Sequence, residues 1–263
     1  MKYLARKFLS RPVIQTVVEH LDARLLWIMN VGPCADPRTS GEIPALKEHG
    51  LLKFAGVNVF DVGANTGAYA LEVSRIVNSD ASIWCFEPAK RTFSDLQVRV
   101  GAISSVKCFN FGFGAKNGQA ILHTDESASG LASLYSRRLG NVGLEFDGTE
   151  TVNLRTVDSF CAEQGIDRIH ILKLDIEGHE LAALEGAQNM IRSGAVNAIQ
   201  FEFGGCNIDS RSHLRDFFDF FGDTFSIYRI LASGLRELKK YSELDERFLS
   251  TNFLALRKIH GQD

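Results

Sequence analysis

Four carboxylates stand where an apolar run gives way to glycine or a turn: Asp61, Glu87, Asp175 and Glu202. Each closes a stretch of β-branched and aromatic residues, the composition of a buried strand. In an open parallel sheet ligands bind above the carboxyl ends of the strands, so chemistry is expected at these positions. Asp175 has dense company in Lys173-Leu174-Asp175-Ile176-Glu177-Gly178-His179-Glu180. Neighbouring strands lie about 5 Å apart, so Asp175 and Glu202 could face one another if their pleats agree, which spacing leaves open. Such a pair can flank a divalent cation, act as a general base with a partner, or anchor Lys173 and helix N–H groups. Lys173 in an apolar strand needs an acid, because an unpaired buried ammonium is costly. His179 could deprotonate an acceptor hydroxyl or face solvent. Glu180 suits the plainer role of an early-helix carboxylate.

Asp61 belongs to a second constellation, Val57-Asn58-Val59-Phe60-Asp61-Val62-Gly63-Ala64-Asn65-Thr66-Gly67. Gly63 and Gly67 allow backbone angles and a ligand approach that a Cβ would obstruct. The helix pattern that follows would turn its free N–H groups toward whatever sits over the strand end. A phosphate loop needs Lys-Ser or Lys-Thr after its second glycine, and Ala68-Tyr69 follows instead. A dinucleotide fingerprint needs glycines where this chain has Gly63, Asn65 and Ala68. The remaining option is a loop for S-adenosylmethionine (SAM), whose backbone holds the amino-acid end of the cofactor. Glu87 lies 20 residues beyond Gly67, where an acidic side chain meets ribose hydroxyls in nucleotide-binding units. Asn110, ending a third strand, could bracket the adenine or simply form a turn.

Strand and helix patterns alternate from residue 57 onward and set these side chains in place. Strands are expected at 57–60, 83–87, 106–111, 169–174, 198–203, 225–231 and 252–256, with helices at 68–77, from 157, at 181–191 and at 214–221. Short strands at 119–123 and 151–154 flank a polar excursion through 124–150, too long for a structureless loop and so a substrate-binding insertion or locally ordered. This order implies an α/β fold, a mainly parallel sheet with helices on both faces. Residues 1–50 read as an N-terminal helical extension and 51–263 as the main domain. Leu4, Phe8, Val17, Leu21, Leu25 and Ile28 share one helical face. With Lys2, Arg6, Lys7 and Arg11 that helix suits a partner, the main domain or a membrane surface.

Ordered blocks carry a more specific resemblance. Asp61-Val62-Gly63-Ala64-Asn65-Thr66-Gly67, Phe86-Glu87-Pro88, Thr156-Val157-Asp158-Ser159-Phe160, the 173–180 block and Leu184-Glu185-Gly186-Ala187 resemble the FkbM-type SAM-dependent methyltransferases. Ser40-Gly41-Glu42 also matches a feature of that family. The resemblance covers about residues 40–205. It implies a class I methyltransferase (Rossmann-like) fold with a seven-stranded sheet and O-methylation of a sugar, glycan or polyketide-type hydroxyl. It places SAM on Asp61, Gly63, Asn65, Gly67 and Glu87, and the reaction near Asp175, Glu177 and Glu202. It leaves metal dependence open, and His179 falls at a variable position. A nicotinamide oxidoreductase, or a degenerate methyltransferase fold serving as a binding module, stands as the alternative.

Composition narrows the rest. The 263 residues carry 45% hydrophobic and 23% charged side chains and a net charge of −3, ordinary for a globular protein and without the basic excess of a nucleic-acid binder. Cys34, Cys85, Cys108, Cys161 and Cys206 are scattered without a CxxC pair, which argues against a disulfide framework or zinc site. With neither a secretory pattern nor a membrane-length apolar run, the expectation is a cytoplasmic protein. Acceptor identity and oligomeric state, a homo-oligomer included, have no readable code.

Overall fold

β-Branched and aromatic runs pair into one large sheet in this computed structural model, which describes residues 9–32, 36–124, 130–138, 146 and 148–258. In chain order the described elements are α1 (Pro12–Ile28), α2 (Glu42–Glu48), β1 (Asn58–Val62), α3 (Ala68–Ser74), β2 (Ser82–Phe86), α4 (Lys90–Val100), β3 (Val106–Phe109), β4 (Gly112–Phe113), β5 (Gly118–Thr124) and β6 (Gly148–Arg155). Then come α5 (Val157–Gln164), β7 (Ile169–Leu174), α6 (Glu180–Glu185), α7 (Gln188–Arg192), β8 (Val196–Phe203), α8 (Cys206–Ser210), α9 (Leu214–Phe221), β9 (Phe225–Ile230), β10 (Leu235–Glu237) and β11 (Thr251–Arg257).

The large sheet runs β10-β9-β11-β8-β7-β1-β2-β3. Strands β3, β2, β1, β7 and β8 are parallel, and β11 inserts antiparallel between β8 and β9. The seven expected strands are therefore present, and short β10 adds an eighth at the edge. Strand order reverses between β1 and β7, the crevice where such sheets bind ligands.

Alternation along each strand builds a core on both faces. Phe60 and Val62 enter one apolar cluster and Val59 the other, which puts Asp61 on the Val59 face. Phe60, Phe86, Phe113 and Phe160 fill the first cluster, with Phe86 to Phe113 at 4.5 Å and Phe86 to Phe160 at 5.0 Å between ring centres. Ring pairs of this kind add about 0.5–1.5 kcal/mol each beyond area burial. They dock the three-stranded sheet β4-β6-β5 onto the large one.

The helix expected over 181–191 is instead two, α6 and α7, broken at Gly186-Ala187. A Cβ on Gly186 would lie 2.2 Å from the Gly114 carbonyl oxygen. The Asp158 carboxylate also accepts the Asn189 and Met190 N–H groups at 2.9 and 3.0 Å, capping a fresh helix there. The Thr156 hydroxyl caps α5 by accepting from the Ser159 N–H at 3.1 Å.

The first fifty residues divide in character. Ile43, Ala45 and Leu46 of α2 are buried in the second cluster, whereas no residue of α1 is buried. The expected basic turn at Lys2, Arg6 and Lys7, together with Leu4, Phe8 and Cys34, lies outside the described residues. Among those described, no helix is long and apolar enough to cross a membrane. Cys85, Cys108, Cys161 and Cys206 are free thiols.

Candidate functional site

The turn after β1 is glycine-built because nothing else fits. Gly63 has φ +79, and a Cβ there would lie 1.9 Å from the Asp175 carbonyl oxygen. Gly67, at φ +83, precedes α3 and packs under Leu96 and Val100, where a Cβ would fall within 3.0 Å of both. Between them Asn65 also takes a left-handed φ of 46, which Asn tolerates better than most residues. Its N–H donates to Glu87 Oε2 at 3.0 Å, and the Ala89 N–H donates to Oε1 at 2.9 Å. Glu87 thereby ties the loop after β1 to the start of α4. Each of its oxygens still has a lone pair for a ligand hydroxyl. Burial pushes its carboxyl up to about 7, against the pull of the two N–H donors.

A cavity opens over this loop, lined by Gly63, Asn65 and Glu87 on one side and by Asp175, Glu177 and His179 on the other. Leu122, Leu134 and Leu154 supply an apolar wall from the small sheet and the segment at 130–138. Asn65 Oδ1 is buried there without a hydrogen-bond partner, an acceptor that a ligand donor would satisfy. Gly130 lies against the same amide, with room only for hydrogen, since a Cβ would lie 2.5 Å from Asn65 Nδ2. The Glu87 oxygens suit a diol and the unpartnered Asn65 Oδ1 suits an N–H donor on the same ligand.

Other residues picked from sequence lie off that cavity. Asp61 is fully buried beneath the loop, 3.3 Å from Lys173 Nζ. Burial raises its pKa although Lys173 opposes the shift. Asn110 Nδ2 donates to the carbonyls of Glu87 and Pro88, both at 2.9 Å, and so pins the turn that carries Glu87. Gly67 acts through packing.

After β7 and β8, where Leu174 pairs with Phe201, Asp175 and Glu202 follow at the same level on adjacent strands. Asp175, Glu177 and Glu202 each offer an oxygen within 4.8 Å of the others. All three already have partners. Lys173 Nζ lies 3.1 Å from Asp175, Arg137 pairs with Glu177, and the Ser250 hydroxyl donates to Glu202. Burial pushes Asp175 up, but Lys173 and a hydrogen bond with Glu202 outweigh it and hold Asp175 below the usual carboxylate range. Glu202 moves the other way, raised by burial and by the charges of Asp175 and Glu177. The two carboxyls are thus driven in opposite directions, as in a coupled pair whose titration belongs to both. Burial would lower Lys173, yet Asp175 and Asp61 raise it well above normal.

Several contributors carry no signal in the sequence. Ser133 Oγ donates to the Glu177 carbonyl at 2.8 Å, Tyr135 OH meets His179 Nδ1 at 3.0 Å, and Arg137 stands 3.9 Å from Asp209 besides its pair with Glu177. Glu177 itself takes an unusual left-handed φ of 52. Burial lifts Glu177 to about 8 despite Arg137 and lowers His179 to about 4, so the imidazole is neutral at pH 7. Glu180 Oε1 accepts from the Ile176 and Gly178 N–H groups at 3.0 and 3.2 Å. Ser40-Gly41-Glu42 enters the core from the far side. Ser40 Oγ donates to Glu42 at 2.6 Å, Gln200 Nε2 donates to Glu42, and Tyr69 OH donates to Gln200 at 3.2 Å.

The sequence model of the methyltransferase FkbM domain matches residues 61–225. The 2-O-methyltransferase NoeI of Sinorhizobium fredii is 23% identical over 142 residues, 51% of this chain and 58% of that protein. The hexuronic acid methyltransferase AglP of Haloferax volcanii is 25% identical over 136 residues, 51% of this chain and 52% of that one. The chain thus spans little more than half the length of these relatives. Among solved structures, a SAM-dependent methyltransferase from Aquifex aeolicus aligns with TM-score 0.45 and 12% identity over 86% of this chain and 94% of that one. Fibrillarin from Aeropyrum pernix, solved with bound S-adenosyl-L-methionine, aligns at TM-score 0.42 and 12% identity over 82% and 74%.

Proposed function

The chain belongs to the FkbM methyltransferase family, and from that premise we propose that it is a SAM-dependent O-methyltransferase acting on a hydroxyl of a sugar, glycan or polyketide-type product. The observation that carries the reading is the joint formed by Asn65 N–H on Glu87, set across the cavity from Asp175. NoeI and AglP, by their names a 2-O-methyltransferase and a hexuronic acid methyltransferase, favour a sugar acceptor.

Bound in this cavity, SAM supplies a methyl group activated by its sulfonium charge. Gly63 and the Asn65 amide would hold its amino-acid end, and Glu87 would accept from its ribose hydroxyls. Asp175, ionised and fixed by Lys173, accepts a hydrogen bond from the acceptor hydroxyl. It would take that proton during methyl transfer to the hydroxyl. In-line placement of the two reactants does most of the remaining work. Glu177 lines the cavity with Asp175, Glu202 lies beside both, and neutral His179 offers a further polar contact. The carboxyl trio could also take a divalent cation, with Lys173, Arg137 and Ser250 as its competitors. Free thiols agree with a reducing, cytoplasmic setting. α1 stands outside this chemistry and serves as a contact surface.

Calorimetric titration with S-adenosylhomocysteine tests the cofactor, and a labelled-SAM screen over glycans and glycosides tests the acceptor. Heat at micromolar ligand supports the reading, and a folded sample giving neither heat nor a melting shift defeats it.

A further inference from the structure

A guanidinium taken out of water needs acceptors or a counter-ion to offset its lost hydration. Arg229, on β9, is 5% exposed. Its Nε is buried without a hydrogen-bond partner, and no ion pair among the described residues includes it. Register adds a second positive charge. Arg236 on β10 stands directly opposite Arg229, and opposite residues of an antiparallel pair project from one face, where like charges repel. Arg247, in the segment after β10, acts on Arg229 as a third. Burial, then Arg236 and Arg247, push the Arg229 guanidinium down from its ordinary range, with Asp245 opposing from beyond ion-pair distance. Arginine nevertheless stays charged at neutral pH. The carboxylate beside Arg247 is already engaged. Glu246 accepts from the Leu214 and Arg215 N–H groups at 2.9 and 3.0 Å and from Tyr241 OH at 2.9 Å, which ties this segment to the start of α9.

We propose that Arg229, Arg236 and Arg247 form a binding site for a tetrahedral oxyanion, a phosphate or sulfate group. Forked guanidinium donors match the oxygens of such a group in pairs. An anion there gives Arg229 its missing acceptors and relieves its repulsion from Arg236. Water would supply acceptors but no opposing charge. None of the three arginines lines the cavity over the turn after β1, so the site stands whether or not the chain transfers a methyl group. The oxyanion has two sources to be told apart, a free ion and a group borne by a sugar. The second is worth an arm of the test because Arg247 precedes Ser250 by three residues, and the Ser250 hydroxyl donates to Glu202.

Equilibrium dialysis of the full chain against radiolabelled inorganic phosphate, in chloride buffer of constant ionic strength, tests this. Uptake should saturate at one phosphate per chain, and sulfate should displace it where added chloride does not. Arg229→Met should abolish the uptake. Arg236→Gln, on an exposed side chain, should raise the half-saturating phosphate several-fold with the circular dichroism spectrum unchanged. Absence of saturable uptake by the wild type overturns the proposal, as does uptake that survives Arg229→Met. If Arg229→Met fails to fold, Arg236→Gln decides, and an unchanged half-saturation point overturns the site. Displacement by a hexose phosphate at lower concentration than by phosphate supports the site with a sugar-borne group as its ligand. Displacement at equal or higher concentration supports it with the free ion.

Discussion

Lys173 sits between Asp61 at 3.3 Å and Asp175 at 3.1 Å with its ring-side neighbour Tyr69 4.9 Å away. Removing one member of a buried ion network leaves the others uncompensated, at a cost of about 3–5 kcal/mol. Lys173→Met should lower stability by that order in a urea titration. Asp175→Asn should instead preserve S-adenosylhomocysteine affinity within a few-fold and reduce turnover by about a hundredfold or more, read by steady-state kinetics. Loss of affinity in a folded Asp175→Asn protein would move the residue into the cofactor site. Glu42 supplies a pH test. Burial lifts its folded pKa from 4.5 to about 7, so the folded state holds a proton that the unfolded chain gives up. Its contribution is complete below pH 4.5 and is lost as pH rises toward 7. Glu42→Gln should flatten that part of the melting-temperature profile. At this scale the sequence singled out the acids but not what each touches. The pairing of Asp61 with Lys173 and the turn-pinning by Asn110 depend on register across strands, which spacing along one strand does not carry.

Strands and helices were legible where apolar period and glycine agree. β1, β2, β7 and β8 each follow a run of β-branched or aromatic residues, and α9 follows Leu214, Phe217, Phe218 and Phe221 at helical spacing. The break between α6 and α7 was hidden because its cause lies in Asp158 and Gly114, distant in sequence. The segment at 130–138 was hidden for the same reason. It has no period of its own and is held by Ser133, Tyr135 and Arg137 on the turn after β7. Arg137→Gln should therefore release Glu177, raise the acceptor KM several-fold and leave S-adenosylhomocysteine binding nearly unchanged in calorimetry. Gly63→Ala forces a methyl onto the Asp175 carbonyl. It should cost at least about 2 kcal/mol in chemical denaturation.

For the whole molecule, the order of blocks did more than any one of them. Strand–helix alternation predicted an α/β sheet, and the ordered motifs pointed to the family that the comparison then showed. What no block encoded is how the first fifty residues relate to the rest. A boundary at residue 50 makes them look removable as one piece. α2 places Ile43 and Leu46 in the core, however, and Glu42 reaches Gln200 on β8. Only α1 stands apart.

Ser250 gives that division a practical edge. Its carbonyl receives the Gly32 N–H, and its hydroxyl rests on Glu202. Trimming the chain just ahead of Asn30 would spare this relay, whereas trimming just beyond Gly32 would slacken the strand that steadies Glu202 beside Asp175. Two shortened proteins differing by a handful of amino acids should thus part company in catalytic rate.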